Sequence, residues 1–109
     1  MSFNILAIPP FNKQLKKLAK KYPSIKHDFS KFLESLQFQP DQGVALGKNC
    51  YKIRLSITSK RKGKSSGGRV ITHLVIEDET IYLLSIYDKS DKANLTDAEL
   101  KELLSWISD

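Results

Sequence analysis

A chain of 109 residues, 40% hydrophobic and 28% charged, has the size of one domain with one modest core, which excludes a two-domain cofactor enzyme. Its net charge of +6 is unevenly laid out: residues 1–41 carry seven basic and three acidic groups, residues 42–76 eight basic and none acidic, and residues 77–109 three basic and nine acidic. The single cysteine, Cys50, cannot form an internal disulfide, and no Cys/His cluster has metal-ligand spacing. With no leader-like segment and no apolar run long enough to span a membrane, the expectation is a soluble cytoplasmic protein that binds neither metal nor membrane.

Residues Phe3 to Ile8 read as a short strand stopped by Pro9-Pro10. Phe11, Leu15, Leu18, Ala19 and Tyr22 then recur at helical spacing, with Lys13, Lys16, Lys17, Lys20 and Lys21 on the remaining positions. Pro23 ends that helix. Ser24 is a candidate cap for a second one carrying Phe29, Phe32, Leu33 and Leu36. The pair forms a helical hairpin able to cover a sheet. Gln39 to Asn49, with Pro40, Gly43 and Gly47, reads as a connector.

Tyr51 to Ile57 alternates, with Ile53, Leu55 and Ile57 on one side and Lys52 and Arg54 on the other. Thr58 to Gly68 is a basic turn whose glycines can supply positive φ. Arg69 to Ile76 and Thr80 to Tyr87 are strands separated by Glu77-Asp78-Glu79, so three consecutive strands predict an antiparallel meander. Thr96 and Glu99 are spaced as a capping box for a final helix with Leu100, Leu103, Leu104 and Ile107 on its apolar stripe. The whole reads as a single α+β domain over residues 1–109, in which an N-terminal strand and a helical hairpin pack on a twisted, mainly antiparallel sheet, followed by a C-terminal helix.

The carboxylate-free segment is a candidate polyanion surface, because no local acid competes with a phosphate for its cations. Hairpin pairing can set Lys52 and Arg54 beside Arg69 and His73, with Tyr87 and Lys89 on the same side of the third strand as Leu83 and Ser85. Lys60, Arg61, Lys62 and Lys64 in the turn fence that patch as candidate RNA or ribosome contacts. Cleaving RNA without a metal needs activation of a 2′-OH, charge stabilisation at the phosphoryl oxygens and a proton for the leaving 5′-O. Arginines suit the second task, and His73, Lys52 and Tyr87 are the titrating candidates for the others.

The segments Cys50-Tyr51-Lys52-Ile53-Arg54-Leu55, Lys60-Arg61-Lys62-Gly63-Lys64, Gly67-Gly68-Arg69-Val70-Ile71, Ile81 to Lys89 and Asn94-Leu95-Thr96 together resemble the RelE/HigB branch of the RelE/ParE toxin superfamily. The resemblance implies a toxin of a toxin-antitoxin pair that cuts messenger RNA on the ribosome by 2′-OH attack, needs no cofactor and is neutralised by a cognate antitoxin, itself a small DNA-binding protein. Lys52 and Arg54 match the family's basic pair, Arg69 its phosphate-holding arginine, and Lys89 its basic segment after the last strand. The tyrosine that many members carry near the C-terminus is replaced by Leu95 and Thr96. Two alternatives stay open: a ParE-like inhibitor of DNA gyrase on the same fold, and a non-catalytic RNA- or ribosome-binding module.

Overall fold

The computed structural model describes residues 2–60 and 67–107. In chain order the elements are β1 (Asn4–Ala7), α1 (Pro9–Lys21), α2 (Ile25–Phe38), β2 (Val44–Gly47), β3 (Cys50–Leu55), β4 (Gly68–Val75), β5 (Thr80–Asp88) and α3 (Asp97–Leu104). The strands make one sheet in the order β1-β5-β4-β3-β2. The expected meander is β3-β4-β5, antiparallel throughout, and β1 joins its β5 edge in parallel after the helical crossover. No helix among the described residues is long and apolar enough to cross a membrane.

Local chemistry explains the boundaries. Pro9 and Pro10 do more than stop β1, since they occupy the first helical positions of α1, where no amide hydrogen is needed. The α3 capping box is present: Thr96 Oγ1 accepts from the Glu99 amide at 3.1 Å, and Glu99 Oε1 accepts from the Thr96 amide at 2.8 Å. Ser24 stands before α2 as expected, yet it does not cap the helix, because its hydroxyl donates to Asp28 Oδ2 at 2.7 Å.

One strand was hidden in the supposed connector. Val44 to Gly47 pairs with β3 through a two-residue turn, Lys48 and Asn49, both at positive φ (55° and 59°). Such a turn matches the twist of a hairpin, but Lys at its first position is not the usual signal. All four residues of β2 are exposed, so hydrophobic alternation could not reveal it either.

The sheet has two unlike faces. Ile53, Val70 and Ile86 form a cross-strand row at 0–3% exposure, next to the row Leu55, Gly68 and Asp88. Asp88 accepts a hydrogen bond from Tyr22 at the end of α1, which places the helical hairpin on this face, with its own Phe11, Ile25 and Leu36 buried. The opposite face carries Lys52, Ile71 and Ser85 in one row. There Lys52 Nζ donates to Asn94 Oδ1 at 3.2 Å, and Ser85 lines a cavity with Leu95, Glu99 and Leu103, so α3 and its lead-in roof this row.

Gly67 and Gly68, just before and at the start of β4, answer to space and not to φ. A Cβ on Gly67 would lie 2.5 Å from the Leu55 carbonyl oxygen, and one on Gly68 would lie 2.9 Å from that of Tyr87. Neither has positive φ. Gly67 and Gly68, anticipated as turn glycines, are therefore close-approach positions between neighbouring strands, and Gly63 lies outside the described residues.

Candidate functional site

On the α3 side of the sheet, register assembles three parallel rows about 6.6 Å apart along the strands. Arg54, Arg69 and Tyr87 form the outermost row, Lys52, Ile71 and Ser85 the middle one, and Cys50, His73 and Tyr82 the far one. The middle row lies under α3, and the arginine row is the next one along, with Arg54 exposed and Arg69 and Tyr87 largely buried.

Two arginines directly opposed on neighbouring strands repel, with Cβ atoms about 4.5–5.5 Å apart. Arg54 is exposed and Arg69 is 9% exposed. The ion pairs among the described residues join Lys21, Lys60 and Lys92 to acids, and none involves either arginine. Arg69 Nη1 donates to the Gly68 carbonyl at 2.9 Å, its neighbour in β4. A half-sequestered like-charged pair of this kind is stabilised by an anion, and guanidinium groups grip phosphate oxygens in pairs.

Tyr87 completes the row with an unusual feature. It is only 7% exposed, and its hydroxyl has no hydrogen-bond partner among the described residues. An orphaned buried hydroxyl costs about 1–3 kcal/mol, a cost that a water or a ligand group bonded to it removes. Burial pushes the phenol's pKa up, against the opposing pull of Arg69 and Lys92. The phenol therefore stays protonated at neutral pH and is suited to give a proton, not to take one. Beside it, Lys92 pairs with Glu99, whose carboxyl that lysine and the Thr96 amide hold down to about 2.

No protein-family model matches the chain. Among solved structures it is similar to a double arginine-to-alanine variant of the E. coli toxin RelE in the free state, at 19% identity and a TM-score of 0.66, over 99% of this chain and 100% of that one. It is also similar to the isolated E. coli RelE toxin, at 16% identity and a TM-score of 0.60, over 97% and 100% of the two chains. The chain has a RelE-like fold. At such identities the likeness is one of fold, and the site must be argued from its own residues.

Within this RelE-like fold, the structure brings together Arg54, Arg69 and Tyr87, with Lys52 one row away. It does not bring His73 to them. His73 shares their face but lies four residues along β4 from Arg69, about 13 Å at strand rise. Its Nδ1 is 3.5 Å from Cys50 Sγ, and its ring stacks on Tyr82 with centroids 6.2 Å apart. Burial pushes the Cys50 thiol up to about 11, so this pair has no thiolate to offer at neutral pH.

A bulge also breaks the expected alternation of β5. Ile71 pairs with Ser85 while Thr72 pairs with Leu83, so Leu83 belongs to the Thr72 face and not to that of Ser85 and Tyr87. Single-strand periodicity cannot register an inserted residue. Lys89, half-buried, follows β5 and ties its amide to the Gly67 carbonyl at 3.1 Å.

Of the turn cations, Arg61, Lys62 and Lys64 lie outside the described residues. Lys60 is not a free surface charge: its side chain is 8% exposed and its Nζ lies 2.7 Å from Asp88 Oδ1. Asp88 also accepts from Tyr22 at 2.5 Å and from the Ser90 amide and hydroxyl at 3.0 and 2.8 Å. Burial would raise its pKa, but the Lys60 and Tyr22 hydrogen bonds outweigh this and hold it far below the ordinary carboxylate range. Asp28 makes a second anchor, accepting from the Thr58 amide at 2.9 Å and its hydroxyl at 3.1 Å. Sequence reading missed both carboxylates as anchors of the basic turn, because their partners lie 28 to 66 positions away.

Proposed function

We propose that this protein is a RelE-type toxin of a toxin-antitoxin pair, an endoribonuclease that cuts messenger RNA on the ribosome without a metal. The single observation that carries the reading is the Arg54–Arg69–Tyr87 row, in which two cations and an orphaned phenol share one register row of the sheet face. The fold shared with structures named as RelE toxins supports the same class. A cognate antitoxin that covers this face is the expected protein partner.

In this reading Arg54 and Arg69 hold the non-bridging oxygens of the scissile phosphate as charge builds on them. A base takes the proton of the 2′-OH, whose oxygen attacks phosphorus, and the bond from phosphorus to the 5′-oxygen breaks. Tyr87 gives its proton to that leaving oxygen and is later reprotonated from solvent. Lys52, in the adjacent row and held by Asn94, is the group assigned that role, acting from its uncharged form. The products are a 2′,3′-cyclic phosphate and a 5′-hydroxyl.

The test is a reconstituted translation reaction with programmed ribosomes. Message fragments ending in a 2′,3′-cyclic phosphate are the expected result. Intact messages with folded protein would overturn the proposal in favour of a binding module, and gyrase-dependent DNA breaks with intact messages would select a ParE-like target.

A further inference from the structure

We infer that the groove between α2 and the outer edge of β3 is a nucleotide subsite, which takes the RNA residue flanking the phosphate held by Arg54 and Arg69. The inference deepens the ribonuclease reading and rests on it. The groove exists because β2 is too short: its pairing with β3 ends at Lys52, leaving the edge beyond open toward α2. The chain before β2 presses tightly on β3, where a Cβ on Gly43 would lie 2.4 Å from the Lys52 carbonyl oxygen. What remains is a cavity of about 310 Å³, lined by residues that include His27, Lys31, Phe32, Gln42, Arg54 and Thr58.

Its chemistry is that of a nucleotide site. Lys31 and Arg54 supply fixed positive charge, and His27 adds an imidazole. The one acid in the lining, Asp28, is already engaged by the Ser24 hydroxyl at 2.7 Å, the Thr58 amide at 2.9 Å and the Thr58 hydroxyl at 3.1 Å. The lining is therefore net cationic. Phe32 and Leu55, 6% and 2% exposed, give an apolar floor for a base, and Ser35, Gln42 and Ser56 provide hydrogen-bonding groups around it. A volume near 300 Å³ is the lower end of the range for small-ligand sites and suits one nucleotide, not an extended polymer.

Continuity with the arginine row decides the occupant. Arg54 lines the groove and is also the direct cross-strand partner of Arg69. A strand whose phosphate bridges the two arginines is thus led over the β3 edge, with its next nucleotide at the groove mouth. The sequence foretold Arg54 as a phosphate contact but not this second role, since Lys31 and Gln42 come from a helix and a connector that only the fold brings to β3.

The probe is a trinucleotide with 2′-O-methyl groups, which cannot be cleaved by 2′-OH attack, titrated to millimolar concentration into the full chain and followed by amide chemical shifts. Shifts at Lys31, Gln42 and Ser56 together with those at Arg69 and Tyr87 are expected. Lys31→Ala should weaken binding about tenfold and lower the slope of log affinity against log salt by about 0.7, the value for one lost single-strand phosphate contact. Lys16→Ala, on the exposed face of α1, serves as the control and should leave both unchanged. Shifts confined to the arginine row, with Lys31→Ala like wild type, would overturn the subsite and leave the ribonuclease reading standing. Absence of shifts at both places would overturn both. An acidic peptide that moves the groove signals where the trinucleotide does not would also overturn the inference and mark a protein ligand.

Discussion

Asp88→Asn is the substitution whose consequence follows most directly from the packing. The wild-type carboxylate is buried and receives Lys60 at 2.7 Å, Tyr22 at 2.5 Å and two donors of Ser90 at 2.8 and 3.0 Å. Asparagine keeps the shape and an acceptor oxygen but removes the charge, which leaves the Lys60 ammonium, 8% exposed, without its counter-ion. Breaking a buried pair from one side costs about 3–5 kcal/mol, and the retained hydrogen bonds put this variant near the lower end, about 3 kcal/mol. That is a large share of the roughly 5–15 kcal/mol stability of a domain. With a urea m-value of about 1.5 kcal/mol/M, the unfolding midpoint should fall by about 2 M.

The same experiment has a pH signature. The carboxyl's pKa is lowered on folding, so its contribution is fully present above the unfolded-state value and is lost as pH falls from about 5 through 3.9 toward the depressed folded value. The wild-type advantage over Asp88→Asn should therefore be constant near neutrality and shrink below about pH 4. A midpoint shift under about 0.5 M, or a gap that does not change with pH, would refute the claim that Asp88 anchors this corner as a paired anion.

Three further outcomes follow from the site and its roof. Tyr87→Phe removes an unpartnered buried hydroxyl, so urea stability should hold or rise by up to about 1 kcal/mol while message cleavage falls at least tenfold; a loss of stability with full cleavage would make the phenol structural. Thr96→Ala deletes the α3 cap and should destabilise by about 1 kcal/mol in thermal unfolding, whereas no change would mean that α3 is held by other contacts. Cys50, with its thiol pushed up to about 11 and its side chain buried, should resist iodoacetamide at pH 7.5 until urea unfolds the chain; rapid native-state alkylation would contradict the burial described for β3.

Much of the architecture was legible because the signals were local. The β3, β4 and β5 strands showed two-residue alternation or apolar runs, α1 a helical stripe, and α3 a capping box; the strands and α1 appear within a residue or two of their expected places, while α3 ends at Leu104, short of the expected Ile107. Strand β2 was not legible, since an exposed four-residue edge strand carries no burial pattern. The site divides along the same line. Pairing Arg54 with Arg69 needed only the register of a simple hairpin, while excluding His73 required its distance along β4, and withdrawing Lys60 required a buried acid on β5. Long-range polar partners and inserted bulge residues leave no periodic trace in a single sequence. The resemblance to RelE-type toxins supplied the fold class, and the register supplied the reason to regard one row of one face as the candidate site.

The measurement closest to the central claim is single-turnover cleavage of a ribosome-bound message by wild type, Arg69→Ala and Arg69→Lys at matched folding. Removing one preorganised donor to a developing phosphoryl charge should slow cleavage by about 10²–10³-fold in Arg69→Ala. Arg69→Lys should recover only part of that, because an ammonium cannot grip two oxygens at once. Relief of the repulsion with Arg54 should leave Arg69→Ala at least as stable as wild type, whereas Arg69→Lys keeps the like-charged pair and should match wild type. Cleavage at the wild-type rate by a folded Arg69→Ala protein would contradict the account, since the arginine row would then hold no reacting phosphate.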